Sequence, residues 1–150
     1  MRSAEASAEV RAPVDEVFGF LADLDNHWRL ASRWIEVVTL QSTGRRADGA
    51  TVRLSGPLGL ARTVQTQVER VTPPSEIRGR GRSGRTHAEV AWRLEALPAG
   101  TRVAVEVRLL RASAADRLIW LAFGRAWLTR RLELTVGGLD DVLASLPARA

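Results

Sequence analysis

The spacing of apolar and polar residues divides this 150-residue chain into a helical start, a long middle run of strands and a helical end. Ala4 to Arg11 alternates weakly, as a short strand does. It stops at Ala12-Pro13, where proline suits the opening of a helix. Asp15 and Glu16 complement the dipole of that helix, and Val14, Val17, Phe18, Leu21 and Leu24 share one face, which predicts a helix from Pro13 to Asp23. Asp25-Asn26 is expected to break it, with a second short helix or turn over His27 to Ser32.

From Trp34 the period falls to two. Trp34 to Gln41 is rich in Val, Ile and Thr, Asp48-Gly49 marks a turn, and Thr51 to Ser55 alternates up to Gly56-Pro57. Arg62 to Val71 sets Val64, Thr66 and Val68 against Thr63, Gln65, Gln67 and Glu69, and Pro73-Pro74 turns the chain. Ile77 to Ser83 follows. Thr86 to Ala96 then places Ala88, Val90, Trp92 and Leu94 on one side and His87, Glu89, Arg93 and Glu95 on the other. After a hairpin at Pro98-Ala99-Gly100, a last strand turns Val103, Val105, Val107 and Leu109 inward, with Arg102, Glu106 and Arg108 outward.

Ser113 with Asp116 has the form of a capping box in which Asp replaces the usual Glu, and it opens a long helical pattern. Leu118, Leu121, Arg125, Leu128, Leu132, Thr135, Leu139, Val142 and Leu146 form one stripe along it. Gly137-Gly138 predicts a kink or soft turn. Trp120, Phe123 and Trp127 fall off that stripe and, with Leu134, predict a second apolar face that packs on sheet edges or contacts a second copy or a membrane.

Length and composition narrow the function classes. A chain of 150 residues is expected to fold as a single domain over residues 1–150. The absence of a basic start followed by an apolar core points to a cytoplasmic protein. There is no cysteine, which excludes disulfides, thiolate nucleophiles and Cys-ligated metals, and all 22 basic residues are arginine, which excludes Schiff-base and phosphate-loop lysines. The net charge of +5 favours anionic surfaces, but five tryptophans without tyrosine do not give the aromatic and basic interleaving of a nucleic-acid sheet; no nucleic-acid partner is expected.

The order strand, helix, short helix, six strands, long helix resembles the START-like SRPBCC superfamily, and within it the polyketide cyclase/dehydrase and lipid-transport family. The resemblance is carried by Ala12-Pro13-Val14-Asp15-Glu16-Val17-Phe18, Leu24-Asp25-Asn26-His27-Trp28, Gly49-Ala50-Thr51, Val68-Glu69-Arg70-Val71-Thr72-Pro73-Pro74 and Gly100-Thr101-Arg102-Val103, and covers nearly the whole chain. It implies an α+β helix-grip fold, a seven-stranded curved antiparallel sheet around a long C-terminal helix, with two short helices after the first strand. It also implies a cavity between sheet and helix for a lipid, polyketide or other hydrophobic molecule. It carries no shared catalytic residues, because one scaffold hosts many chemistries.

On that frame the expected ligand-binding residues are Trp28, Val52, Leu54, Val64, Thr66, Gly79, Gly81, Val90, Trp92, Leu118, Leu121 and Arg125. Arg125 interrupts an apolar stripe, so it is expected either to pair internally, to meet a polar ligand end, or to reach the cavity mouth. Ile77-Arg78-Gly79-Arg80-Gly81-Arg82 has two registers: Ile77 inward, with glycines lining the cavity and arginines outside, or the arginines inward around an anion. Asp23, Asp25 and His27 are metal-binding types, but they are also ordinary capping residues, and nothing distant completes a site; no metal and no cofactor are expected. His87 falls on the polar register of its strand. Three functions fit: a carrier of a hydrophobic small molecule, a cyclase or dehydratase with Arg125 as electrophile and His27 or Asp25 as acid or base, and a dimerising or membrane-touching module.

Overall fold

The computed structural model describes residues 3–31, 34–42, 47–56 and 61–145; Ser32, Pro57 and Leu146, each named in an expectation above, lie outside them. The chain runs β1 (Ser3–Val10), α1 (Val14–Leu21), α2 (Leu24–Leu30), β2 (Ile35–Ser42), β3 (Ala47–Ser55), β4 (Ala61–Thr72), β5 (Glu76–Ser83), β6 (Thr86–Leu97) and β7 (Gly100–Arg111). It ends in α3 (Ala114–Ile119), a π-helical turn (Trp120–Gly124), α4 (Arg125–Gly137) and α5 (Leu139–Ala144). The seven strands form one curved antiparallel sheet in the order β1-β7-β6-β5-β4-β3-β2. β2 to β7 make a meander, and α1 and α2 carry the chain from β1 at one edge to β2 at the other. Register shifts between Val37 and Thr39 and between Val68 and Arg70 mark bulges, which add the local bend and twist that a concave sheet needs.

Alternation sets which face is concave. The pairs Val52–Val64, Thr66–Gly81, Gly79–Val90, Ile77–Trp92, Val90–Val107 and Trp92–Val105 place the period-two apolar residues of five strands on one surface. The opposite face is laced by ion pairs, Arg93 with Glu106, Arg108 with Glu89 and Arg102 with Glu9 and Glu95, each with its arginine exposed and worth little alone. β5 takes the register with Ile77 inward. Arg78 pairs outside with Glu76 at 2.7 Å and Glu89 at 2.9 Å, and Arg80 pairs with Glu69 at 3.1 Å.

The core has two parts. Val17, Phe18, Phe20 and Leu21 of α1 join β1, β6, β7 and the buried Leu132, Val136, Leu139 and Leu143 of the C-terminal helices, while Leu24 packs with Ala50 and Val52 under α2. α4 lies chiefly on β1. Gly137 ends α4 and Gly138 caps it, its N–H reaching Leu134 O at 3.2 Å, so the expected soft point is a clean break before α5. Among the described residues no helix is long and apolar enough to cross a membrane.

Three local expectations are corrected. Asp48-Gly49 does not turn the chain but lies inside β3, where Gly49 is paired on both sides, with Gln41 and Gln67. Asp25-Asn26 does not end a helix but lies in the first turn of α2, because Asp23 caps it by accepting the Asp25 N–H at 3.2 Å. Ser113 Oγ accepts the Asp116 N–H at 3.2 Å, which is half of a capping box; the Asp116 carboxylate does not return to the backbone and is taken by side chains of the sheet.

Candidate functional site

Between the concave face and the C-terminal helices lies a cavity of about 330 Å³. Its sheet wall comes from Val52 and Leu54 of β3, Val64, Thr66 and Val68 of β4, Ile77, Gly79 and Gly81 of β5, Ala88, Val90 and Trp92 of β6, and Val105, Val107 and Leu109 of β7. Its roof is Leu24, His27 and Trp28 of α2 with Asp116, Ile119, Trp120, Gly124, Trp127, Leu128 and Leu132 of the C-terminal helices. Trp34 and Trp127 meet edge to face with centroids 5.6 Å apart, joining the start of β2 to α4 across the cavity.

Nine of the twelve expected residues, Trp28, Val52, Leu54, Val64, Thr66, Gly79, Gly81, Val90 and Trp92, stand together around this space. Gly79 also serves the sheet: a Cβ there would stand 2.7 Å from the Gln67 carbonyl oxygen, so only glycine fits beside the β4 bulge. Leu118, Leu121 and Arg125 are elsewhere. The leucines are each 69% exposed, and Arg125 donates its Nε–H to the Ser3 carbonyl at 2.8 Å, tying α4 to the β1 edge.

The π turn is the physical reason. An i→i+5 turn holds one residue more than an α turn, so the helix before it is rotated by roughly 100° relative to the continued stripe. Leu128, Leu132 and Thr135 keep the expected face, but upstream the inward positions are Gly124 and Trp120, one residue earlier than Arg125 and Leu121. The same offset turns Trp120 and Trp127 into cavity walls, which corrects the expectation of a second face packed on sheet edges or open to a second copy or a membrane. Gly124 is buried at the turn, where a Cβ would stand 3.1 Å from the Ile119 carbonyl oxygen.

Two polar groups mark the ends of the cavity. Thr86 and Trp92 are six positions apart on β6, so their ends of the wall are separated by roughly 20 Å. At the Thr86 end, Arg62 donates Nη1–H to Asp116 Oδ2 at 2.8 Å and Nη2–H to Oδ1, and the Thr86 hydroxyl donates to the same carboxylate. The Arg62 hydrogen bonds hold the Asp116 carboxyl below its ordinary range, and the carboxylate in turn raises the Arg62 guanidinium. At the Trp92 end, the His27 ring lies 5.2 Å from the Trp92 ring, and its Nε2 donates to the Leu21 carbonyl at 2.6 Å. Asn26 Nδ2 likewise donates to Phe20 O at 2.8 Å, so these two residues cap the last carbonyls of α1. Burial pushes the His27 pKa down, against smaller upward effects of the Leu21 carbonyl and Asp23, so the ring is neutral with Nδ1 as an acceptor. Asp25 faces Arg29 at 4.0 Å, and among the described residues no three His, Asp or Glu side chains gather as a metal site.

Sequence reasoning missed Arg62, Thr86 and Asp116 as one cluster. Thr86 and Asp116 meet only through tertiary contact, and Arg62 read as the start of a strand. Among the described residues the buried indole N–H groups of Trp28, Trp92 and Trp120 have no hydrogen-bond partner, although all three residues line the cavity. A hollow beside the β5–β6 hairpin, among Arg85, His87, Arg111 and Ser113, is shallow and open.

A family model described as polyketide cyclase / dehydrase and lipid transport matches residues 1–144. No protein of curated function matches by sequence. Among solved structures, TTHA0849 from Thermus thermophilus aligns with a TM-score of 0.72 at 17% identity, covering 96% of this chain and 99% of that one. The Zhui aromatase/cyclase from Streptomyces sp. R1128 aligns at 0.66 and 19% identity over 95% and 93%. The KanY protein aligns at 0.75 and 14% identity over 95% and 97%. At these identities the likeness is one of fold.

Proposed function

Because this chain belongs to the polyketide cyclase / dehydrase and lipid transport family, we propose that it binds a hydrophobic small molecule in the cavity between its sheet and its C-terminal helices. The observation that carries this reading is an apolar space of about 330 Å³ bordered by Trp28, Trp92 and Trp120 and by the apolar side chains of five strands. That volume is at the lower end of small-molecule sites, and apolar walls with a few polar groups are their usual chemistry. Native mass spectrometry of the purified protein is expected to show bound small-molecule mass, and a hydrophobic dye is expected to be displaced by apolar ligands. An empty protein that neither binds nor releases dye refutes the proposal.

A second reading, a cyclase or dehydratase, is favoured by His27 alone. Its ring lines the cavity, is neutral, and leaves Nδ1 to accept a proton. Arg125 has no part in it, since its side chain is bound to Ser3 at the sheet edge. Unchanged turnover of a cyclisable polyketone by a folded His27→Ala variant removes this reading.

A further inference from the structure

We propose that Asp116, by holding Arg62 in an ion pair, makes the cavity select neutral ligands over anions of the same shape. This rests on the reading that the cavity holds a hydrophobic small molecule, and adds the charge which that molecule carries.

Among the described residues three charged residues border the cavity, Arg62, Arg80 and Asp116, Arg80 with its side chain turned to the outer face. Both arginines are engaged by carboxylates: Arg62 gives two N–H groups to Asp116, and Arg80 meets Glu69 at 3.1 Å on the outer face. Asp116 is secured further by the Thr86 hydroxyl, so it does not swing free of Arg62 without leaving two donors behind. His27 adds no charge, since burial keeps its ring neutral. A ligand carboxylate entering this space loses its water and, among the described residues, finds no free cation, or it must displace Asp116 from Arg62 and leave that carboxylate unpaired.

What the cavity offers instead is an apolar lining with flat rings. Trp28, Trp92 and Trp120 border it, and the His27 and Trp92 rings, 5.2 Å apart, give their end of the cavity flat walls. A neutral planar ketone brings no charge into this space, whereas a carboxylate of the same skeleton does.

The test titrates the full chain at pH 7 with 2-acetylnaphthalene and 2-naphthoate, a ketone and a carboxylate on one ring system, by calorimetry and tryptophan fluorescence. The ketone is expected to bind about tenfold tighter or better, the scale set by an unpaired buried charge. Asp116→Asn frees the Arg62 charge while keeping the side chain's size. It is expected to raise naphthoate affinity by about tenfold and to narrow the ketone-to-naphthoate ratio accordingly. The double variant Arg62→Leu with Asp116→Leu removes both charges and is expected to keep the wild-type order. Equal or tighter binding of naphthoate by the wild-type chain overturns the selectivity, as does an unchanged naphthoate affinity in folded Asp116→Asn. If that variant does not fold, the wild-type ratio and the double variant decide. Binding of neither probe, with no dye uptake, overturns the cavity reading itself, an outcome distinct from binding both alike.

Discussion

Asp116 is also the point at which the C-terminal helices are fastened to the sheet, and its removal has a magnitude that can be worked from the structure. Asp116→Ala takes away the acceptor of two Arg62 N–H groups and of the Thr86 hydroxyl. A hydrogen bond to a charged group is worth about 1.5–3 kcal/mol, and a fully buried pair broken on one side costs about 3–5. Neither limit applies, because the Arg62 side chain is 37% exposed and that of Asp116 is 17% exposed, so water recovers part of the loss. The coupling between the two residues is therefore expected to be about 1–2 kcal/mol, which for a chain of this size shifts the melting temperature by roughly 3–6 °C. The assay is a double-mutant cycle of Arg62→Ala and Asp116→Ala in urea, repeated from pH 7 to pH 3. Because the folded pKa of Asp116 lies below its ordinary value of 3.8, the coupling is fully present above that value and is lost as the pH falls through the folded pKa. A coupling of zero at pH 7, or one that persists unchanged after the carboxylate has been protonated, refutes the reasoning.

The helix offset makes a second prediction: Leu132→Ala is expected to cost about 2–5 kcal/mol by cavity formation, while Leu118→Ala and Leu121→Ala stay within about 0.5, measured by chemical denaturation. Gly79→Ala is expected to lose about 1–3 kcal/mol, since the new Cβ meets the Gln67 carbonyl, and Gly81→Ala less, since its Cβ at 3.3 Å faces the Val64 side chain; calorimetric melting ranks the two. His27 is expected to remain neutral below its ordinary value of 6.5, seen as a depressed midpoint in an NMR titration of its ring. With the unfolded chain taking up the proton first, wild-type stability falls as the pH drops from 6.5 towards the folded pKa, and His27→Gln removes that slope.

Where the sequence is periodic, its pattern predicts the structure closely. The alternation in β4, β6 and β7 fixes which side chains form the concave wall, and the Arg-Gly run of β5 is resolved by Ile77, whose burial turns the arginines to the outer face. Capping is less legible. The Ser113 signal places a helix start correctly, but the Asp116 carboxylate has a choice between the local backbone and an arginine 54 residues earlier, and only the folded sheet brings Arg62 within reach. Least legible is the C-terminal stripe. Its leucines are spaced as an α-helix requires on both sides of Trp120–Gly124, so composition and period favour Leu118, Leu121 and Arg125 as inward residues. One extra residue in a single turn reverses that. It moves two leucines into solvent, sets Trp120 and Gly124 over the cavity and aims Asp116 at Arg62. The turn is held by contacts that are not periodic: an inward tryptophan, a glycine close against the Ile119 carbonyl, and an ion pair one turn upstream. An uninterrupted α-helix would keep the leucine stripe but would turn Asp116 away from Arg62 and Trp120 away from the cavity. The residues that give the cavity its polar character therefore depend on the one turn that departs from the helical period.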